Sequence, residues 1–466
     1  MDVNYIVEGS GQKYGTKFVL RVQLIAANNE KHLWGESFEQ EIRETSDIIN
    51  LQSQIAKAIA EALKATITPE EKQLIEKIPS ANLKAYDFYL RGMEEIFKMG
   101  VYYYSNLSKN KQVLRRAEFF FKKALENDST FALGYCGLAI VKGTKIRIEN
   151  YSKTTIDSIL ILCNRALSFD NQLAEAYFAR SGYYFNTGND NKGKEDLNRA
   201  IKLNPSDWKA YNIKSWYEDN LLSKIEDIHI ALSLNTGLGR NDVINRMADL
   251  YFEAGFPEKS KEYNLEVFNL DGDSIRYLSH CFSYEYECAN YKNAIDFLKK
   301  ICRIDSNYLG KDFDFALVYA FDGQFEESLK YVKKLLTKLD WPQAPLIGYV
   351  YWNNGYKEKA EYYFNISIDS CINDIKTAGK VWNGSLYQLA EVYAFKGEKD
   401  KAYENLKFFY QNIDPNFSFV NQTKNDPFFN NIRNEPEFQK ILKDYEAKYQ
   451  AEHERVRKWL EEQGKL

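Results

Sequence analysis

Only 9 prolines and 4 histidines occur in 466 residues, and each scarcity excludes something. Few prolines leave long helices unbroken. The histidines are scattered as His32, His229, His280 and His453, so no Ser/His/Asp or Cys/His set can be read and a nucleophilic or acid–base enzyme has no candidate residues. No apolar run approaches the roughly 20 residues of a membrane-spanning helix, and the amino terminus carries no basic and apolar signal segment. As written, the sequence predicts a cytoplasmic protein without membrane insertion, or a periplasmic one if a signal or membrane segment lies upstream. An excess of one charge is also missing. The 62 basic and 66 acidic residues are interspersed and give a net charge of −4, which offers a nucleic-acid backbone no electrostatic footprint. Six cysteines lie far apart, mostly inside helical patterns, and read as reduced, packed thiols rather than a disulfide framework.

What is present is a repeating unit. Gly323-Gln324-Phe325-Glu326-Glu327-Ser328 is followed by Leu329, Val332, Leu335 and Leu336 at helical spacing, and similar turns open at Gly255, Gly355 and Gly397. Each follows an aromatic-rich helical pattern and precedes a second amphipathic one, so the unit is helix, glycine turn, helix. Residues 174–205 carry the pattern most fully: Tyr177 at a large aromatic position, Ser181 and Gly193 at two small ones, then Tyr184, Leu197, Ala200 and a closing Pro205. These positions resemble the tetratricopeptide consensus. First-helix anchors at Tyr177, Tyr211, Ile244, Leu278, Asp312, Ala344 and Leu386 recur at that family's period of about 34 residues, and a loop from Asp374 to Gly384 is expected to stretch the last interval. Arg180 and Lys214 replace apolar consensus residues, which predicts loose packing in their repeats.

The first forty residues differ. Val3, Tyr5 and Val7 alternate with polar residues, Gly9-Ser10-Gly11 breaks the run, and two further strand patterns cover Phe18–Ile25 and Lys31–Phe38. Together they predict a three-stranded antiparallel meander. Past Thr45-Ser46-Asp47, the residues Ile48, Leu51, Ile55, Ile59 and Leu63 fall on one helical face that should cover the sheet. The stretches Val7-Glu8-Gly9-Ser10, Leu33 to Phe38 and Leu51 to Ala56 resemble the second half of the TolB-amino-terminal-like (FlgO-like) domain of bacterial signalling proteins, without its opening strand, helix and second strand. In that family such a domain precedes tetratricopeptide repeats, and the region follows adenylate cyclase, kinase or transcription-factor domains.

The predicted fold is therefore mainly α, a right-handed solenoid of tetratricopeptide helix pairs preceded by a small, incomplete α/β domain. Residues 1–66 form the partial domain, 67–82 a helical linker with a hinge at Pro79–Asn82, 83–422 about nine helix pairs interrupted by a polar insertion near Tyr102–Gln112, and 423–466 a cap. Asp426-Pro427-Phe428-Phe429 and Glu435-Pro436-Glu437-Phe438 should close the last repeat, and the highly charged Glu446–Gln463 helix reads as a solvated tail, with a partner-binding helix as the alternative.

No cofactor or metal is expected. His280, Cys281, Cys288 and Cys302 form the one suggestive cluster, yet Cys281 sits where a repeat packs a leucine and close-spaced ligand pairs are missing. Gly9-Ser10-Gly11 lacks the Gly-Lys-Ser/Thr of a phosphate loop, and Asp312 with Asp314 reads as an exposed or groove-facing pair of acids.

The expected role is a non-catalytic interaction scaffold. The alternative is the regulatory or sensor portion of a larger bacterial signalling protein whose effector lies upstream. The resemblance implies that first helices line a groove, which places Phe178, Phe185, Trp216, Phe252, Tyr286, Phe313, Phe321, Tyr349, Trp352, Tyr387 and Phe395 toward a partner, with Asp249, Glu253, Glu287 and Glu391 adding negative charge. A peptide or protein segment with apolar anchors and some basic residues suits that row. An unpaired edge of the amino-terminal sheet predicts weak self-association.

Overall fold

The computed structural model describes residues 4–98, 107–148, 153–235, 237, 239–308, 310–337, 345–377 and 383–466. Two structural units share the chain, one built from Met1–Tyr211 and Ser233–Arg240, the other from Asn212–Leu232 and Asn241–Leu466.

The amino-terminal unit opens with strands β1 (Tyr5–Tyr14), β2 (Lys17–Ala26) and β3 (Lys31–Glu41), antiparallel in the order β1-β2-β3. Contrary to the sequence reading, Gly9-Ser10-Gly11 does not break β1, which pairs with β2 without interruption from Tyr5 opposite Ala26 to Tyr14 opposite Lys17. The glycines are there for packing. Gly9 and Gly11 stand opposite Val22 and Leu20, and a Cβ on Gly11 would come within 2.8 Å of the Leu20 side chain. Helix α1 (Thr45–Ala62) buries Leu51 against Val22 and Phe38, with Leu20, Trp34 and Ile55 around them. Every residue of β1 stays exposed, because α1 covers the β2–β3 side. Helix α2 (Pro69–Ile75) follows. The stretch expected to hinge is fastened instead: buried Ser80 donates to Asp128 at 2.7 Å, and the Asn82 side chain bonds the Asn127 carbonyl at 2.8 Å.

Nine helix pairs follow among the described residues: α3 (Leu83–Lys98) with α4 (Leu107–Asn127), α5 (Ala132–Ile148) with α6 (Lys153–Phe169), α7 (Ala174–Asn186) with α8 (Asp190–Leu203), α9 (Trp208–Tyr217) with α10 (Leu221–Leu234), α11 (Arg240–Glu253) with α12 (Pro257–Asp271), α13 (Ser274–Glu287) with α14 (Tyr291–Ile304), α15 (Lys311–Phe321) with α16 (Phe325–Leu336), α17 (Pro345–Asn353) with α18 (Lys357–Thr377), and α19 (Asn383–Lys396) with α20 (Lys399–Gln411). Small residues set the approach within a pair. The Phe185 ring fills the space that a side chain at Gly193 would need, and Phe364 does the same over Gly348. The turns at Gly188, Gly255, Gly323, Gly355 and Gly397 all have positive φ, and in the α13–α14 turn Ala289 takes that conformation at φ 59°.

Three expectations need correction. Asp374 to Thr377 belong to α18 and Asn383-Gly384 to α19, so a 21-residue helix contributes to the long last interval, and residues 378–382 lie outside the described ones. Arg180 and Lys214 do not loosen their repeats, because each bridges to a carboxylate on the second helix of its pair. The Arg180 guanidinium holds both Asp196 oxygens at 2.7 and 2.8 Å, and Lys214 reaches both Asp227 oxygens at 2.9 Å. Asp312 is buried rather than exposed. Val3, the anchor Ala344 and residues 102–106 of the insertion fall outside the described residues, while Leu107 to Gln112 open α4.

The carboxy-terminal unit ends in α21 (Phe417–Asn425), one 3-10 turn (Pro427–Phe429) and α22 (Pro436–Glu462). At 1.5 Å per residue the 27 residues of α22 span about 40 Å. They are no solvated tail. Phe438, Ile441, Leu442, Tyr445, Tyr449, Glu452, Val456 and Leu460 are buried along one stripe, mostly at steps of three and four residues, and the other charged residues lie outside it. The Tyr445 ring stacks on Tyr410 of α20 at 3.9 Å, the His453 ring stacks on Phe256 at 4.6 Å, and Trp459 lies 5.2 Å from His229 of α10. The helix thus ties the last repeat of this unit back to its first.

Candidate functional site

The carboxy-terminal unit presents a face made by its first helices α11, α13, α15, α17 and α19, and its own chain already lies against that face. Asn416 caps α21 by accepting from the Phe419 amide, and Asp426 caps the 3-10 turn by accepting from the Phe428 amide. The two caps set the segment so that Phe417 meets Phe252 of α11 edge-on at 5.6 Å, while Phe428 lies 4.7 Å from Tyr349 of α17 and 5.8 Å from Phe395 of α19. Between these anchors the Ser418 hydroxyl donates to Glu287 of α13, and Tyr387 of α19 donates to Asp426 at 3.2 Å. Arg433 braces the turn through the Asp426 backbone carbonyl.

Eleven aromatic residues were expected on first-helix faces, and they fall into three groups. Trp216 and Phe313 are exposed, at 53% and 39%. Phe178, Phe252, Tyr286, Phe321, Trp352 and Phe395 are half-buried. Of these, Tyr286 and Phe321 pack on each other and on Tyr291, while Trp352 meets Phe395 edge-on and carries the Lys357 ammonium 3.5 Å from its ring. Phe185, Tyr349 and Tyr387 are buried and do not face an open groove. Phe185 is the filler over Gly193, and the other two lie under the carboxy-terminal segment.

The electrostatics of this face are acidic. Burial pushes the Asp249 carboxyl up to about 7; Arg246 opposes the shift, and Glu253 and Glu287 reinforce it. Arg246 is itself committed, stacked 3.7 Å from the Trp216 ring and 3.3 Å from Glu253. Burial likewise raises Glu287, against the Ser418 hydroxyl bond. Glu391 and Asp426 meet carboxyl to carboxyl, and burial holds a proton between them, with Glu391 raised well above the carboxylate range. The arrangement brings together carboxyls that are met by hydroxyls or by one another. Among the described residues no group of three His, Cys, Asp or Glu is placed to hold a metal. Burial raises the Cys281 thiol and lowers the His280 imidazole.

In the amino-terminal unit a cleft of about 880 Å³ runs between the linker and the repeats, lined by Ile67, Ile75, Pro79, Leu133, Phe169 and Leu173 among others, with a Lys77–Asp170 ion pair at 2.5 Å. Sequence reasoning missed this cleft, because apolar positions on α2 and on repeat helices become neighbours only in the fold. It also missed Phe417, Ser418, Asp426 and Arg433 as occupants of the first-helix face. For α22 a signal was available in the three-and-four spacing of its apolar residues.

The model of the tetratricopeptide repeat family matches residues 174–207, which span α7, α8 and the turn after them. The chain carries tetratricopeptide repeats. The match covers the pair whose consensus is fullest. A Rhizobium meliloti (strain 1021) protein named as an adenylate cyclase is 23% identical over 181 residues, which is 38% of this chain and 28% of that protein. Among solved structures, the APC/C hetero-tetramer Cut9–Hcn1 aligns at 13% identity and a TM-score of 0.44, over 79% of this chain and 73% of that one. The human IFIT1 dimer with m7Gppp-AAAA aligns at 16% identity and a TM-score of 0.40, over 78% of this chain and 94% of that one. Among the described residues no helix is long and apolar enough to cross a membrane.

Proposed function

We propose that this chain is a non-catalytic protein-interaction scaffold, and that the first-helix face of its carboxy-terminal unit holds a peptide or protein segment with apolar anchors and some basic residues. One observation carries the reading: that face already grips a segment of chain, through Phe417 on Phe252 and Phe428 on Tyr349 and Phe395. The acids Asp249, Glu253, Glu287 and Glu391 along it favour lysine or arginine in the ligand, and the exposed Trp216 and Phe313 offer further ring surface. A few desolvated aromatic contacts worth about 2 kcal/mol or more each would dominate binding. To test this, peptides selected from a random library on the full chain are titrated against Phe321→Ala, Trp352→Ala and the exposed second-helix control Lys333→Ala, with folding checked by circular dichroism. Weakened binding to the first two supports the assignment; binding equal to the control in both removes it.

A second reading is favoured by the likeness to the R. meliloti protein named as an adenylate cyclase. Here the chain is the regulatory portion of a larger signalling protein, with a partial TolB-like domain ahead of its repeats. Extending the reading frame upstream decides between the two. An in-frame effector domain supports the second, and a stop codon with a ribosome-binding site just before Met1 removes it.

A further inference from the structure

The segment that covers the first-helix face is poorly matched to it in charge. Two aromatic anchors eleven residues apart, Phe417 and Phe428, seat well against Phe252, Tyr349 and Phe395. Between them the fit is electrostatically deficient. Among the described residues Glu287 receives only the Ser418 hydroxyl, and Glu391 receives another carboxyl, Asp426. Arg433, four residues past the segment and in the field of Asp426, spends its guanidinium on the backbone carbonyls of Thr423 and Asp426 and on the Asn430 side chain. Lys424 pairs with Glu446 of α22 at 2.6 Å and does not reach the face. On α11, Arg246 is taken by Trp216 and Glu253, while Asp249 lies in the field of Glu253 and Glu287. An incoming segment with the same aromatic spacing, and with cations where this one has Ser418 and Asp426, would make the same ring contacts and add charge pairs.

We propose that Asn416–Phe429 is a displaceable occupant of a segment-binding face, and that its competitor is a helical protein segment with aromatic anchors eleven residues apart and lysine or arginine between and beside them. The proposal rests on the scaffold reading above and deepens it. The occupant is tethered through Asn412–Pro415 on one side and α22 on the other. The tether keeps its effective concentration high, so a partner's apparent affinity falls by the fraction of time the face stands open. Opening is opposed by the Lys224–Asp414 ion pair, by Tyr445, whose hydroxyl bonds Asp414 and Asn416, by the Tyr410 hydroxyl on Thr423 at 2.6 Å, and by the rings of Phe409 and Tyr449 against Phe419 and Phe417.

Two measurements on the full chain test it. Hydrogen exchange of the unmodified protein should show amides of 417–425 exchanging well before those of α19 and α20; equal protection would make the segment ordinary core and overturn the proposal. In the second, a labelled synthetic peptide of residues 414–435 carrying Ser418→Arg and Asp426→Lys is titrated into wild type and into Phe417→Ala/Phe428→Ala, whose helicity is checked by circular dichroism. Binding at least ~10-fold tighter to the double variant is expected, since the loosened segment competes less. The same peptide without its two substitutions should bind that variant more weakly. Equal affinity for both proteins, or no binding to either, overturns displacement. A library-selected peptide that binds wild type and ignores Phe417→Ala/Phe428→Ala would overturn displacement alone and leave the scaffold reading standing.

Discussion

Gly255 and Gly323 occupy equivalent turns and differ in one respect, which makes them a matched pair. Both have positive φ, 82° and 76°, so alanine at either should lose about 1 kcal/mol to backbone strain. At Gly323 a Cβ meets nothing within 4 Å. At Gly255 it would run into the Tyr449 hydroxyl and approach His453 Nδ1 at 3.0 Å, both on α22. His453 is held there by its bond to the Ala254 carbonyl at 2.7 Å, so it has little freedom to yield. Overpacking of this kind costs a further ~1–3 kcal/mol. Gly323→Ala should therefore lower stability by about 1 kcal/mol and Gly255→Ala by about 2–4 kcal/mol. Urea melts followed by circular dichroism measure both, and exchange at α22 should quicken in Gly255→Ala alone. Equal losses in the two variants would refute the docking of α22 on the α11–α12 turn.

Other expectations follow from the same packing. Ala289→Gly relieves the one non-glycine residue in a repeat turn at positive φ among those described and should gain about 1 kcal/mol in urea melts. Arg180→Leu restores the apolar consensus but strands Asp196, and should cost about 2 kcal/mol in the same assay, with Arg180→Leu/Asp196→Leu recovering most of it. Burial raises Asp249 to about 7 and Asp227, Asp242 and Asp314 to about 6. Groups raised on folding contribute stability that is full below their unfolded values and is lost as pH rises through the folded ones. The carboxy-terminal unit should thus weaken between about pH 4 and pH 8, and Asp249→Asn should remove part of that slope in melts across this range, whereas an unchanged slope would refute the shift. Among the described residues β1 is paired on one side alone, so its other edge should give weak self-association in sedimentation at high concentration or local disorder in hydrogen exchange; a strict monomer with strongly protected β1 amides would contradict both.

The helix pairs were legible because a glycine at positive φ and a small–aromatic contact recur at a fixed period, and both are local signals. Arg180 and Lys214 misled because a charge at an apolar position is read as a defect until its partner sixteen or thirteen residues on is seen to meet it. Gly9-Ser10-Gly11 misled in the opposite sense: glycine usually ends a strand, yet here it makes room for Leu20 and Val22. The aromatic row was legible as a set of first-helix positions, but its occupant was not. Nothing local in Phe417 or Phe428 reveals contact with residues 165 and 79 positions earlier, Phe252 and Tyr349. The stripe on α22 could have been read, had its charge density not drawn attention to the polar side.

Site-specific photocrosslinking tests the central claim most directly, namely that the first-helix face of the carboxy-terminal unit holds a protein segment. A photoreactive phenylalanine analogue replaces Phe313, exposed on first helix α15, or Tyr362, exposed on second helix α18. Each protein is irradiated with a selected peptide and the adducts are located by mass spectrometry. Crosslinking from position 313 and none from 362 is the expected result; adducts from 362 with none from 313 would contradict it.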